Sequence, residues 1–216
     1  MREDVAKSKT HGSDIGLVDV GCNIGLFTLT AALNGYRVLA IDAMNSSLQL
    51  VATSLRLANL TSRVTMLHNA ISDRHRDVVV QVRLPNNIGA SWVLQASSDK
   101  DNNTQNVDTQ TVVKAICLDD LVDYVPTRRI FLKMDIEASE WLALRCADRF
   151  FSELDVPYFH MEWFFYTTKA HHQHGAEIVS YLTKRGYQAF HPNDRVRALS
   201  VTIPIKWPPN IIWIKR

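Results

Sequence analysis

The feature that most constrains this chain is a short apolar run that ends in an acidic residue and turns through two glycines. It reads Leu17-Val18-Asp19-Val20-Gly21-Cys22-Asn23-Ile24-Gly25-Leu26-Phe27-Thr28. Parallel strands covered on both faces are apolar throughout, and glycine permits the positive φ of a tight turn. We therefore interpret the stretch as a buried strand, a turn whose backbone lies against an adenosine-type ligand, and an amphipathic helix.

Length and composition predict one well-buried domain. The 216 residues are 46% hydrophobic and 21% charged, which is ordinary for a globular protein. A net charge of +2 gives no reason to expect a nucleic-acid partner, and no apolar run approaches the ~20 residues that span a bilayer. Nothing indicates a particular oligomeric state. We treat residues 1–216 as a single domain and expect residues 1–14 to be frayed.

The cysteines and the amino terminus favour a cytoplasmic location. The three cysteines are Cys22, Cys117 and Cys146. They are odd in number, far apart and without CxxC spacing, so we expect them to be reduced and buried. The charged amino terminus lacks a signal-peptide core. The chain also contains three Asn-X-Ser/Thr sequons, at Asn45, Asn59 and Asn102. Chance supplies about this number in a chain rich in Asn, Ser and Thr, so the sequons carry little weight.

Strands and helices alternate along most of the chain. Predicted strands are Leu17–Val20, Tyr36–Ile41, Val64–Leu67, Ile130–Met134, Pro157–Met161, Leu199–Ile205 and Ile211–Ile214. Predicted helices are Gly25–Leu33, 45–59, Ala138–Arg149 and 175–184. This alternation predicts an α/β fold with a mostly parallel sheet and right-handed crossovers. Residues 77–117 break the rhythm, and we interpret them as an inserted β-hairpin of Asp77–Leu84 and Thr111–Cys117 around a long loop, residues 95–110.

Polar residues follow the strands at the sheet edge where such folds bind ligands. They are Asp19 with the turn residues Gly21, Cys22, Asn23 and Gly25; Asp42 with Ala43; Asn69 with Ala70; Asp135 with Glu137; and Glu162. Asp42 stands about twenty residues beyond the turn, where an acid accepts hydrogen bonds from both ribose hydroxyls. The turn lacks the third glycine of the dinucleotide fingerprint, and Asp19 suits a cationic ligand end. Adenosine with a cationic tail describes S-adenosylmethionine.

Catalytic candidates are concentrated in the predicted strand that ends at Asp135. Lys133 and Asp135 share one face of this strand, and two interpretations of Lys133 stay open. It forms a buried ion pair that holds the sheet, or it acts with Asp135 on the hydroxyl that receives the methyl group. Glu162 is a second candidate base. We expect Glu140 to be structural and His160 to belong to the core.

No metal site is predicted from the sequence. The His171-His172-x-His174 segment could attract a metal ion, but it lacks a carboxylate partner at a fixed spacing.

The motifs resemble the FkbM-type methyltransferase family. The resemblance rests on the stretch from Val18 to Phe27, on Leu118-Asp119-Asp120-Leu121, on the stretch from Leu132 to Glu140, on Phe159-His160-Met161-Glu162 and on Gly186-Tyr187. It implies a class I, Rossmann-like three-layer sandwich with S-adenosylmethionine as methyl donor. By position it implies a cofactor loop of Asp19, Gly21, Asn23 and Gly25, with Asp42 on the ribose, Asn69 and Ala70 beside adenine, and Asp135 near the methyl group.

The predicted function is O-methylation of a hydroxyl on a sugar or another small natural product, since most members of the resembled family act on such substrates. The sequence departs from the family at Cys22, at Asp42-Ala43 and at Ala138, where the family usually has Ala, Glu-Pro and Gly. Two alternatives stay open: a cofactor-binding or interaction module without catalysis, and a nicotinamide-dependent oxidoreductase.

Overall fold

The computed structural model describes residues 15–84, 87–95, 110–202 and 204–216. Residues 1–14 and most of the predicted loop 95–110 lie outside the described residues. The strands are β1 (Ile15–Val20), β2 (Val38–Asp42), β3 (Val64–His68), β4 (Ala70–Ile71), β5 (Arg76–Leu84), β6 (Asn87–Gln95), β7 (Gln110–Ile116), β8 (Arg129–Met134), β9 (Asp155–Glu162), β10 (Tyr187–His191), β11 (Asp194–Ala198) and β12 (Asn210–Lys215). The α-helices are α1 (Leu26–Leu33), α2 (Asn45–Leu57), α3 (Glu140–Leu144), α4 (Asp148–Glu153) and α5 (His172–Thr183).

The main sheet has eight strands in the order β11-β10-β12-β9-β8-β1-β2-β3. Strands β3, β2, β1, β8 and β9 are parallel to one another, whereas β12, β10 and β11 are added in antiparallel fashion. From β1 the chain passes to β2 and β3 on one side and later returns to β8 and β9 on the other. The order therefore reverses between β1 and β8, which is where sheets of this kind bind ligands.

Helices cover both faces of this sheet, which confirms the three-layer architecture. On one face, Leu48, Val51 and Leu55 of α2 pack against the inner residues of β2. On the other face, α3, α4 and α5 enclose the larger core around β8 and β9. No helix in the described part of the chain is both long and apolar enough to cross a membrane.

A second sheet in the order β4-β7-β5-β6 interrupts the alternation. Strands β5 and β7 pair antiparallel, as the inserted hairpin requires. Strand β6, absent from the prediction, pairs with the other edge of β5. The insertion is therefore a small sheet of its own.

Two predicted elements are wrong. The helix predicted over Ala138–Arg149 is two short helices, α3 and α4, because the chain bends at the buried Ala147 between them. The strand predicted over Leu199–Ile205 is absent from its described residues: the chain forms the β10–β11 hairpin earlier and then a 3₁₀ turn at Pro204–Lys206. Proline has no N–H to donate to a ladder, which disfavours a strand there.

The expectation of reduced cysteines is wrong for two of the three. Cys117 and Cys146 form a disulfide across 29 residues of sequence, with their Cα atoms 5.3 Å apart. Cys22 is free and buried, as expected. The bend between α3 and α4 brings Cys146 to the end of β7, and such a long-range approach leaves no spacing signal in the sequence.

Candidate functional site

The glycine turn after β1 follows a left-handed path. The φ angles of Gly21, Asn23 and Gly25 are 75°, 49° and 87°. A Cβ atom placed on Gly21 would lie 1.9 Å from the carbonyl oxygen of Asp135, so the ends of β1 and β8 approach each other through this glycine. A Cβ atom on Gly25 would lie 2.8 Å from the side chain of Val51 on α2. Both glycines are therefore required by the packing of the turn against the protein itself.

Asp42, at the end of β2, organises the loop around it. Its Oδ2 accepts a hydrogen bond from the N–H of Asn23 at 2.7 Å, and its Oδ1 accepts one from the N–H of Met44 at 2.8 Å. Burial, which leaves it 9% exposed, raises the pKa of Asp42. An ionised carboxylate accepts about four hydrogen bonds, so Asp42 retains capacity for two more.

Asn69 and the residues predicted beside it lie at the same edge. The N–H of Asn69 donates to the carbonyl of Asp42 at 3.1 Å, and its side-chain amide donates to the carbonyl of Lys114 at 3.0 Å. Ala70 is buried in β4, whereas Ala43 is partly exposed. The carbonyl oxygen of Ala43 lies 3.1 Å from His68 Nε2. Asn69 therefore joins the main sheet to the inserted sheet beside Asp42.

Lys133 and Asp19 form a buried ion pair beneath the turn. Lys133 Nζ lies 3.2 Å from Asp19 Oδ1 and donates a hydrogen bond to the carbonyl of Gly21 at 2.5 Å. Thr28 Oγ1 on α1 donates to Asp19 Oδ2 at 2.7 Å. Asp19 is 0% exposed and Lys133 is 4% exposed. The cation beside Asp19 is therefore Lys133, and the pair supports the turn from inside the protein.

Cys22 is also turned inward. Its side chain belongs to the core cluster beneath α1 and α2, and burial raises the pKa of its thiol. Its N–H donates to the carbonyl of Ile41 at 3.0 Å, parallel to the bond from Gly21. Only the backbone of Cys22 therefore faces the turn.

Three carboxylates converge beyond the ends of β8 and β9. Oxygen atoms of Asp135, Glu137 and Glu162 all lie within 4.8 Å of one another. Burial, followed by the charges of Asp135 and Glu137, raises the pKa of Glu162 to about 8. Neighbouring carboxylates of this kind retain a proton near neutral pH. Three carboxylates at this spacing could equally hold a divalent cation.

The backbone that carries this cluster is held by Glu140, which is fully buried. Its Oε1 accepts the N–H of Ile136 at 2.9 Å, and its Oε2 accepts the hydroxyl of Tyr166 at 2.5 Å. Burial raises the pKa of Glu140 to about 7. Glu137 and Ala138 adopt φ angles of 54° and 66° in this loop. The positive φ gives a reason for the glycine that the resembled family usually has at the position of Ala138.

His160 was expected to belong to the core, but its ring reaches the site. It is partly exposed, stands opposite Lys133 in the β8–β9 register and lies 5.5 Å, between ring centroids, from Phe27. Burial and the charge of Lys133 lower the pKa of His160. Its Nδ1 has no hydrogen-bond partner within the described ranges. The signal was present in the alternation that puts His160 on the same face as Glu162.

An apolar groove runs along the outer side of α1 and reaches the site at Phe27. Its volume is about 480 Å³, and its walls include Leu17, Leu26, Phe27, Ala31 and Phe131. Leu26 is 70% exposed, although large apolar side chains are usually covered. The groove therefore follows β1 and α1, and Phe27 connects it to the ring of His160.

Comparison with known proteins identifies this arrangement. The family model of the methyltransferase FkbM domain matches residues 19–189. The crystal structure of a methyltransferase FkbM from Methylobacillus flagellatus KT superposes with a TM-score of 0.53 at 21% identity, covering 92% of this chain and 43% of that chain. This match shows a shared fold.

Two further proteins are similar over different lengths. A ubiquinone biosynthesis O-methyltransferase from Rickettsia akari (strain Hartford) is 31% identical over 83 residues, which are 37% of this chain and 32% of that protein. A magnesium protoporphyrin IX methyltransferase from Synechocystis PCC 6803, crystallised with bound SAM, covers 95% of this chain and 73% of its own at 11% identity and a TM-score of 0.46. This chain spans less than half the length of the Methylobacillus and Rickettsia proteins.

Proposed function

Because the chain belongs to the FkbM methyltransferase family, we propose that it methylates a hydroxyl oxygen of a sugar or another small natural product. The family match covers the glycine turn, Asp42, Asn69 and Asp135 in a single alignment. It supports S-adenosylmethionine as the cofactor and a methyltransferase activity. The observation that carries the choice of a hydroxyl acceptor is the closeness of Asp135 and Glu162, because a neutral hydroxyl is a weak nucleophile that a base activates by taking its proton.

The residues at the sheet edge fit the cofactor. Asp42 keeps hydrogen-bonding capacity for two ribose hydroxyls, and Asn69 stands next to it for the adenine ring. The turn from Gly21 to Gly25 is supported by Lys133, which donates to the carbonyl of Gly21 and pairs with the buried Asp19. When bound, the cofactor supplies an electrophilic methyl group on a positively charged sulfur. Asp135 and Glu162 would then orient the acceptor hydroxyl and take its proton, and the site would hold donor and acceptor together.

Glu162 is the better base of the pair. Its raised pKa makes the ionised form strong enough to accept a hydroxyl proton, and the charges of Asp135 and Glu137 favour the protonated form. Lys133 is a positioning residue in this scheme, because its ammonium group is committed to Asp19 and to the carbonyl of Gly21. His160 lies two residues before Glu162 on β9, and its ring lies beside Phe27.

The proposal predicts that turnover rises with pH and levels off above a midpoint near 8, as Glu162 becomes ionised. Glu162→Gln removes the base, and we expect kcat to fall about 10²- to 10⁴-fold while the protein stays folded. The measurement is the pH profile of kcat with a panel of hydroxylated acceptors. Glu137→Gln is the matched control: it removes one neighbouring charge, so the midpoint should move to lower pH with turnover retained. A Glu162→Gln enzyme with wild-type turnover would contradict the assignment.

Stability gives a second readout of the same group. The folded pKa of Glu162, about 8, lies above the unfolded value of about 4.3. The folded state therefore binds more protons between these values, and the free energy of unfolding falls as pH rises through that window. Glu162→Gln should flatten this slope in urea titrations. An unchanged slope would place the proton elsewhere in the cluster.

Asp42→Ala is expected to weaken binding of S-adenosylhomocysteine by about 1–3 kcal/mol, the scale for losing hydrogen bonds to a charged acceptor. The substitution also releases the N–H groups of Asn23 and Met44. Asp42→Asn serves as the control, since it keeps the shape and one carbonyl acceptor but removes the charge. Calorimetry with S-adenosylhomocysteine measures both variants. Equal affinity of Asp42→Ala and wild type would leave Asp42 with a purely structural role.

The choice between an enzyme and a module that binds cofactor without turnover depends on an assay of methyl transfer. Labelled methyl from S-adenosylmethionine should appear on a hydroxyl oxygen of a sugar or a small natural product. Transfer only to nitrogen or carbon would refute O-methylation while leaving the family assignment intact. Cofactor binding without transfer to any acceptor would favour the module. The nicotinamide-dependent alternative has no support from the family match.

A further inference from the structure

The disulfide links two elements that backbone hydrogen bonds also hold together. Cys117 precedes the 3₁₀ helix Leu118–Asp123, and Cys146 lies between α3 and α4. The N–H of Asp119 donates to the carbonyl of Cys146 at 3.1 Å, and the Asp119 carboxylate accepts the N–H of Phe150 at 2.7 Å. The fold itself therefore places the two sulfurs together. Structural disulfides form in oxidising compartments and are rare in reducing ones.

The sequon Asn59-Leu60-Thr61 lies in an exposed turn at the end of α2. Asn59 has a φ of 55°, its N–H donates to the carbonyl of Arg56, and the N–H of Leu60 donates to the carbonyl of Leu55. This left-handed helix end explains an asparagine at position 59. The left-handed helix end does not explain why position 61 carries a hydroxyl residue, Thr61. The side chains of Asn59 and Thr61 are exposed, and within the described ranges neither forms a hydrogen bond.

The sequon at Asn45 lies at the opposite end of the same helix. Helix α2 has 13 residues and is therefore about 20 Å long. Asn45 adjoins Met44 and Asp42 at the proposed cofactor edge, and the hydroxyl residue of its sequon, Ser47, is 2% exposed. An oligosaccharide on Asn45 would stand over the cofactor site, whereas one on Asn59 would project from the far edge of the sheet. The third sequon, at Asn102, is outside the described residues.

From the disulfide and the exposed sequon we infer that this domain matures in the oxidising secretory pathway and carries an N-linked oligosaccharide on Asn59. The amide nitrogen of Asn59 forms a bond to the anomeric carbon of an oligosaccharide carried on a lipid diphosphate. The bond from that carbon to the diphosphate oxygen breaks, the lipid diphosphate leaves, and the amide loses one proton. Cys117 and Cys146 lose two electrons and two protons to an oxidised dithiol catalyst of the same compartment. The inference is independent of the acceptor substrate.

The test expresses the full chain in a eukaryotic cell line, once behind a cleavable secretory signal and once in the cytosol. Enzymatic removal of N-glycans in ¹⁸O-labelled water marks each occupied asparagine for peptide mapping. We expect label at Asn59 and little at Asn45. Thr61→Ser keeps the sequon and should keep the label, whereas Thr61→Val has a similar shape and should lose it. Alkylation without reductant should find Cys22 as the single free thiol of the secreted protein.

Folding and glycosylation are distinguished by comparing the two preparations. The cytosolic protein, with Cys117 and Cys146 reduced, should melt about 5–10 °C below the secreted one. Glycosylated secreted protein should bind S-adenosylhomocysteine as tightly as the Thr61→Val variant, since Asn59 lies away from the cofactor edge. A well-folded secreted protein without a glycan on Asn59 would overturn the modification. Reduced cytosolic protein with an unchanged melting temperature would overturn the need for an oxidising compartment.

Discussion

Gly21→Ala is expected to lower the free energy of unfolding by about 2–5 kcal/mol and to abolish binding of S-adenosylhomocysteine. The added methyl group would lie 1.9 Å from the carbonyl oxygen of Asp135, and Gly21 has a φ of 75°. A backbone oxygen cannot rotate away, so β1 and β8 must separate at their ends. The separation displaces the Gly21 carbonyl from Lys133 and changes the turn that we propose binds the cofactor. Urea unfolding and calorimetry measure the two effects.

Gly35→Ala is the matched control for this substitution. Gly35 has a φ of 90°, but the nearest atom to its added methyl group is Arg63 Nη1, at 4.0 Å on a flexible side chain. The control therefore measures the conformational cost of alanine at positive φ, about 1–2 kcal/mol. The excess loss at Gly21 measures the close approach of β1 and β8. If both variants lose the same stability, that close approach is absent in solution.

The residues at the carboxyl edge of the sheet could be predicted because the sequence patterns that mark the strand ends are local. Asp42 follows a run of apolar residues. The carboxyl ends of parallel strands meet at one edge of the sheet, however far apart the strands are in the sequence. Which groups touch there is set by packing. The sequence therefore left two interpretations of Lys133 open, and the structure pairs it with Asp19 and with the carbonyl of Gly21. Nothing in the spacing indicates that Asp19 is sealed from solvent beneath the turn.

Long-range contacts account for the parts that sequence reasoning missed. Residues 138–153 contain no glycine or proline that would mark the bend between α3 and α4. Cys146 lies at this bend, and its disulfide partner Cys117 is 29 residues away in the sequence. The apolar periodicity alone favoured one continuous helix. His160 was missed for a different reason: alternation shows which face a side chain occupies, while the ring of Phe27 that lies beside it comes from α1.

Lys133→Met is expected to lower the free energy of unfolding by about 3–5 kcal/mol, the cost of leaving one member of a buried ion pair without its partner. Methionine fills most of the volume of the lysine stem, so the loss reports charge and hydrogen bonding more than packing. Asp19 would keep the Thr28 hydroxyl but lose its only cation within 4 Å among the described residues. Urea unfolding gives the loss, and calorimetry with S-adenosylhomocysteine gives its effect on the turn.

The double variant Asp19→Asn/Lys133→Met separates the two interpretations of Lys133. It removes both charges, so most of the lost stability should return, because neutral replacement of a buried pair is often close to neutral. If cofactor binding and turnover return with stability, Lys133 acts only by holding Asp19 and the Gly21 carbonyl. If cofactor binding returns while turnover stays low, the ammonium group acts on the acceptor, together with Asp135 at 4.0 Å. Failure of the double variant to regain stability would mean that the hydrogen bond to Gly21, rather than the ion pair, holds β1 to β8.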